Sequence, residues 1–250
     1  MRDRFVQTSN TARFAEALDA LQDRGAAEAC LMVIDGEPGY GKSRTIEWWA
    51  VQQGCVYLRA KKEWTPAWMM RELLGSLNVP PAHSFERMYA QALDTLGQRA
   101  LQAQRDDGVF AVVVDEVDHI VRAGGLLESL RDLSDMLEIP FILVGMGKVR
   151  SALVKFPQVA SRVSRYVAFE AASLADVTAL VQGLCEVDVA PDLVRELHQL
   201  SGGYCREIME GIANIERFGR RSGETVTVAA MEGEVLLHDR RTSAPIRVKG

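Results

Sequence analysis

Residues 36 to 43 read Gly-Glu-Pro-Gly-Tyr-Gly-Lys-Ser, and glycines at this spacing ahead of a lysine and a hydroxyl are suited to gripping phosphates. Gly36, Gly39 and Gly41 let backbone N–H groups turn inward around an anion, and a helix that follows offers its positive end. Lys42 then reaches the outer phosphates, and the Ser43 hydroxyl ligates Mg²⁺. The predicted nucleotide-binding set is Gly36, Glu37, Pro38, Gly39, Tyr40, Gly41, Lys42, Ser43 and Arg44.

Seventy-three positions after the lysine of this loop, "FAVVVDEVDH" carries an apolar run into Asp115-Glu116. At the carboxyl end of a buried strand, Asp115 is placed to hold the metal shell and Glu116 to orient and deprotonate a water. A base beside the metal-binding acid suits hydrolysis better than transfer to a bound metabolite.

These groups need a scaffold, and the hydrophobic pattern predicts one. "CLMVID" (30 to 35) is a continuous apolar run of buried-strand length that ends at the glycine loop, and "KSRTIEWWAVQQ" after it returns to helical spacing. Further strands are predicted at 55 to 59, 109 to 115, 140 to 145 and 165 to 169. Helices are predicted near 11 to 24, 66 to 77, 84 to 105 and around Leu126, Leu130, Leu133 and Leu137. Strands alternating with helices imply parallel pairing and a three-layer α/β core. From Ser173 the strand signal stops and helices are predicted at 174 to 184, 191 to 200, 204 to 218 and 228 to 238. The expected organisation is a linker and helix (1 to 26), an α/β nucleotide-binding core (27 to 171), a small all-helical lid (172 to 240) and a loose basic tail (241 to 250).

Bulk properties narrow the partners. With 250 residues, 48% hydrophobic and 25% charged, the chain has the composition of an ordinary globular protein. A formal charge of −5 gives no whole-molecule attraction to nucleic acid or acidic membranes, so such partners need local basic patches. The four cysteines have neither C-x-x-C spacing nor clustered histidines, which argues against zinc and against a disulfide scaffold. No apolar run approaches a membrane span, and a cytoplasmic location follows as the expectation. Trp48 and Trp49 sit on the helix after the phosphate loop and Trp64 and Trp68 near another helix start, where packing is favoured over base stacking.

Taken together, "GEPGYGKS", "VVVDEVDH" and "SGGYCREIME" resemble the AAA+ ATPases, and within them the target-DNA-activating B proteins of Mu-like transposing phages and the target-selector ATPases of bacterial transposons. The resemblance covers residues 5 to 240. It implies a P-loop AAA+ core, ATP and Mg²⁺ as cofactors, and Arg206 as a lid arginine touching the γ-phosphate. "VASRVSR" lies where the superfamily places an arginine finger, with Arg162 the first choice and Arg165 the second. Such a finger acts on the nucleotide of a neighbouring subunit, so a homo-oligomer, ring or helical filament, is implied. "FVQTSN" (5 to 10) stands where the family contacts adenine.

The same resemblance implies sequence-nonspecific duplex DNA and a transposase as partners, in a bacterial host cell. The phage protein's extra N-terminal DNA-binding domain has no counterpart here, so DNA contact is expected from the core. The candidates are Arg59, Lys61 and Lys62 in "YLRAKKEWTP", and Lys148, Arg150 and Lys155 in "GMGKVRSALVKF". Phosphate contacts of this kind do not read sequence and weaken with salt. In one respect the chain departs from the family: Gly145-Met146-Gly147 stands where many members have a polar residue that positions the attacking water. An assembly or secretion-type AAA+ scaffold that acts on proteins without DNA is the alternative.

Overall fold

The computed structural model describes residues 1–22, 25–26 and 28–249. The described residues form two compact units: one comprises 1–14, 38–41 and 169–249, the other 15–22, 25–26, 28–37 and 42–168.

The larger unit is built on strands that are apolar on both faces. In chain order its elements are α1 (Ser9–Gln22, whose first residues belong to the other unit), β1 (Leu31–Asp35), α2 (Lys42–Gln52), β2 (Val56–Arg59), α3 (Pro66–Ser76) and α4 (Phe85–Arg105). They continue through β3 (Val112–Asp115), α5 (Gly124–Leu137), β4 (Phe141–Val144), the short helices α6 (Val149–Leu153) and α7 (Pro157–Ala160), and β5 (Val163–Ala168). Among the described residues the strands form one sheet in the order β2-β3-β4-β1-β5, and every adjacent pair is parallel.

Burial explains the strand sequences. Leu31 to Ile34 and Phe141 to Val144 are all at most 1% exposed, as central parallel strands covered on both faces require. Leu126, Leu127, Leu130 and Leu133 turn the apolar stripe of α5 into the same core. Thr65 caps α3 by accepting from Trp68 N–H, with Pro66 at the first helical position. Ser84 does the same for α4 through Arg87 N–H. The elements expected from periodicity lie within about three residues of those observed, within the usual uncertainty of element ends. The last two residues of the helix expected at 11 to 24 lie outside the described residues.

The smaller unit holds α8 (Leu174–Leu184), α9 (Pro191–Ser201) and α10 (Cys205–Ser222), followed by an antiparallel hairpin of β6 (Val235–His238) and β7 (Pro245–Arg247). Ser173 and Asp176 form a capping box at the start of α8. The hairpin corrects two expectations: residues 235–238 are strand rather than helix, and the segment after 241 is not loose. Leu236 and Leu237 are fully buried and Val248 is 2% exposed. A three-residue apolar run (Val235 to Leu237) is compatible with either structure, and the partner strand that decides it lies seven residues away.

Candidate nucleotide-binding site

The loop follows β1 directly and runs into the first turn of α2. Gly39 and Gly41 have φ of +96° and +87°, a region L side chains rarely enter. A Cβ on Gly39 would also come within 3.2 Å of the Tyr204 ring, and one on Gly41 within 3.1 Å of Cys205 Sγ. Backbone angle therefore favours glycine at both positions, and the nearby side chains leave little room for a Cβ. Cys205 N–H donates to Gly39 O at 2.8 Å, so the residue before Arg206 is bonded to the loop crest. Arg206 itself is exposed on the first turn of α10.

Lys42 is 7% exposed and donates from Nζ to Gly36 O at 2.5 Å and Glu37 O at 3.0 Å. Burial lowers its pKa from 10.5, opposed by the charges of Asp35, Asp115, Asp118 and Glu37. Ser43 lies one residue on, half-buried, while Arg44 is exposed.

Asp115 ends β3 and is 2% exposed. One carboxylate oxygen accepts Tyr57 O–H at 2.5 Å, the other Glu116 N–H at 2.7 Å. Burial, then this bond to Asp115, raises the Tyr57 pKa well above its ordinary value, so the phenol stays a donor. Glu116 turns out of the strand with φ of +56°, and its carboxylate lies 3.4 Å from Arg59 Nε and 3.6 Å from His119 Nε2.

Asp118 accepts Met146 N–H at 2.7 Å, and burial raises its pKa. This contact gives the unusual "GMG" segment a physical reason. A Cβ on Gly145 would meet Val149 Cγ2 at 2.2 Å and Asp118 Oδ2 at 2.7 Å, so Gly145 admits the close approach of the Asp118 loop. Tyr57 and Asp118 were not among the site residues expected from sequence. The third acid of "DEVDH" was a visible signal for Asp118, whereas Tyr57 depends on β2 pairing with β3.

The remaining candidates are dispersed. Arg162 Nε contacts both oxygens of Asp135 at 3.0 and 3.1 Å. Arg165, on β5, donates to Ser164 O and Ala20 O. Both finger candidates are thus engaged within their own chain. Lys61 pairs with Glu72 and lies 5.4 Å over the Trp68 ring, and Arg150 stacks 4.8 Å over Tyr166. Lys62, Lys148 and Lys155 are exposed. Trp64 is buried, while Trp48 and Trp68 keep 42% and 38% of their surface. In the expected adenine linker, Asn10 is 5% exposed and exchanges hydrogen bonds with the backbone of Glu170 at 2.8 and 3.0 Å.

A parallel sheet with a glycine loop after β1 and paired acids after β3 defines a phosphate-loop nucleotide-binding protein of the α/β class. A family profile described as AAA domain matches residues 26–153, and the chain belongs to that family. Its cofactors are ATP and Mg²⁺, and the site fits them: the hard oxygens of Asp115 and Ser43 suit the ion, and Lys42 with the glycine backbone suits the phosphates.

Solved structures share the fold. Cdc6p from Pyrobaculum aerophilum is 15% identical, with a TM-score of 0.63 over 92% of this chain and 68% of that one. ORC1 of Aeropyrum pernix, solved in complex with DNA, is 17% identical, with a TM-score of 0.58 over 89% of this chain and 63% of that one. The RuvB Holliday junction branch migration motor of Thermotoga maritima is 15% identical, with a TM-score of 0.55 over 88% of this chain and 65% of that one. At such identities the likeness concerns the fold, and the chain spans less than two thirds of the length of ORC1 and RuvB. No curated protein matches the sequence significantly. Among the described residues no helix is long and apolar enough to cross a membrane.

Proposed function

We propose that the protein is an ATP-dependent, sequence-nonspecific duplex-DNA-binding ATPase that oligomerises on target DNA and activates or recruits a transposase. The observation that carries the DNA link is the pairing of Arg59 with Glu116. Arg59 ends β2 in register with Asp115, so a group suited to DNA phosphate holds the group suited to activating water. DNA phosphate drawing Arg59 away leaves Glu116 free to take a proton, which couples DNA binding to hydrolysis. Family membership supports the ATPase part, and two of the structures sharing the fold are described as a DNA complex and a branch migration motor. The transposase part rests on the resemblance carried by "GEPGYGKS", "VVVDEVDH" and "SGGYCREIME".

In this reading residues 27–171 are the nucleotide-binding core and 172–240 the lid. Asp115 and Ser43 would hold Mg²⁺, which when bound would supply positive charge beside the transferred phosphoryl group. Lys42 and the loop N–H groups fix the phosphates, Glu116 orients the water, and Arg206 contacts the terminal phosphate. Arg162, or failing it Arg165, reaches a neighbouring subunit once released from its partners in this chain.

Electron microscopy of the protein with duplex DNA tests the proposal, with and without a non-hydrolysable ATP analogue. Rings or filaments that need both ligands are expected. Single copies under every condition would remove the shared-site part. The second reading, a scaffold acting on proteins, is favoured by the intramolecular partners of Lys61 and Arg150. Assembly that requires nucleotide and ignores DNA would support it instead.

A further inference from the structure

The C-terminal hairpin brings a cation to the phosphate loop that none of the sequence motifs contains. Leu236 and Leu237 are buried against α10, and Asn214 of that helix donates to Leu236 O at 2.9 Å. The Asp239 carboxylate accepts from Arg241 N–H, Thr242 N–H and the Thr242 hydroxyl at 2.8 to 2.9 Å, which fixes the turn after β6. Arg240 projects from that turn.

Two contacts orient its guanidinium, and a third distance places it beside the loop. Nε donates to Glu207 Oε1, Cζ lies 3.5 Å over the Tyr204 ring, and Nη2 is 4.0 Å from where a Cβ on Gly39 would sit. Tyr204 in turn packs against Tyr40 of the loop, with ring centroids 5.0 Å apart. Glu207 is only 8% exposed, and its other oxygen, Oε2, is buried without a hydrogen-bond partner among the described residues. A buried carboxylate holding a guanidinium by a single edge is costly as a purely structural pair, because half of its acceptor capacity goes unused. The same arrangement leaves Nη2 of Arg240 beside Gly39 at the crest of the loop. In a loop of this kind, the crest N–H groups are the ones that surround the bound anion.

We propose that Arg240 is a nucleotide-binding residue, delivered by the hairpin and positioned by Glu207 and Tyr204, that donates from its Nη groups to the phosphate chain of ATP. The inference rests on the nucleotide-site reading of residues 36–43 and adds a second arginine to the expected Arg206. Arg206 and Arg240 are both exposed, but Arg240 is held beforehand by Glu207 and Tyr204, so less rotamer freedom remains to be lost on binding.

Dissociation constants for fluorescent ATP and ADP analogues with Mg²⁺ test this in the wild-type chain, Arg240→Gln, the double variant Arg240→Gln/Glu207→Gln, and Lys42→Ala. The double variant removes the buried charge that the single one would strand, and thermal melting checks that it folds. Arg240→Gln and the double variant are each expected to bind the triphosphate about tenfold more weakly, the scale of one charge-assisted hydrogen bond. The diphosphate should lose about threefold or less, since it carries less charge for the guanidinium to meet. A folded double variant that binds ATP as the wild type does, or loses both nucleotides equally, overturns the proposal while Lys42→Ala still shows that the loop binds nucleotide. If the wild-type chain binds no ATP, the underlying reading falls and the inference with it.

Discussion

Lys42 is a cation in an unfavourable place until an anion joins it. Burial holds its pKa below 10.5 in spite of four nearby carboxylates. Bound phosphates favour the ammonium form, so ATP affinity is fully present well below the lowered pKa and is lost as pH rises through it. Titrations of ATP binding upward from neutral pH are expected to show affinity falling before 10.5 is reached. Lys42→Ala should bind ATP at least about tenfold more weakly at neutral pH.

Glu116 presents a different case. Its left-handed backbone, φ +56°, costs about 1 to 3 kcal/mol in a non-glycine residue and turns the carboxylate out of the strand toward Arg59 and His119. Glu116→Gln keeps the size and the hydrogen-bonding capacity but not the base. Phosphate release is expected to fall about 100-fold or more while nucleotide binding persists. Hydrolysis at the wild-type rate in this variant would remove Glu116 from the proposed mechanism.

At the scale of elements, Asp176 ties the N-terminal segment to α8. Its carboxylate accepts Ser9 N–H and Ser9 O–H at 2.6 Å each, and Ser173 N–H and O–H at 2.9 and 2.8 Å. Burial opposes ionisation of this group, but the bonds from Ser9 and Ser173 outweigh it and its pKa is lowered from 3.8. The sign follows: the stability it contributes is complete above 3.8 and is lost as pH falls through the lower folded value. Asp176→Ala should cost about 2 kcal/mol in denaturant unfolding at neutral pH, combining a lost helix cap with orphaned donors. A loss of only a few tenths would show that Ser9 and Ser173 find water instead.

Elements also mark how far the sequence was legible. The buried strands and the loop were readable because each is specified by neighbours within a few residues. The β6-β7 hairpin was not, since Val235 to His238 gain strand character only by pairing with Pro245 to Arg247. Tyr57, Glu207 and Arg240 escaped notice for the same reason. Their roles depend on partners 58, 33 and 33 positions away.

Over the whole molecule, a net charge of −5 means that the proposed DNA binding would fall to local cations. Arg59 is engaged by Glu116, Lys61 by Glu72 and Arg150 by Tyr166, so the proposed contact with DNA would exchange internal partners for phosphate. Filter binding across a salt series is therefore expected to give a modest slope, with about one unit lost for each phosphate contact removed. Reversing Lys148 and Arg150 to Glu together should weaken binding to unrelated duplexes alike. Undiminished binding would exclude α6 from the DNA surface.

The sequence by itself determined the phosphate loop, the acids that follow a buried strand, and the alternation that builds a parallel sheet. Each is written in contiguous residues, where backbone angle, period and short-range spacing suffice. Only the tertiary structure decided that Tyr57 holds Asp115, that Arg59 holds Glu116, and that the hairpin sets Arg240 against Gly39. Those pairings join residues distant in the chain, and a side chain's partner is fixed by where the packed core brings two backbones together.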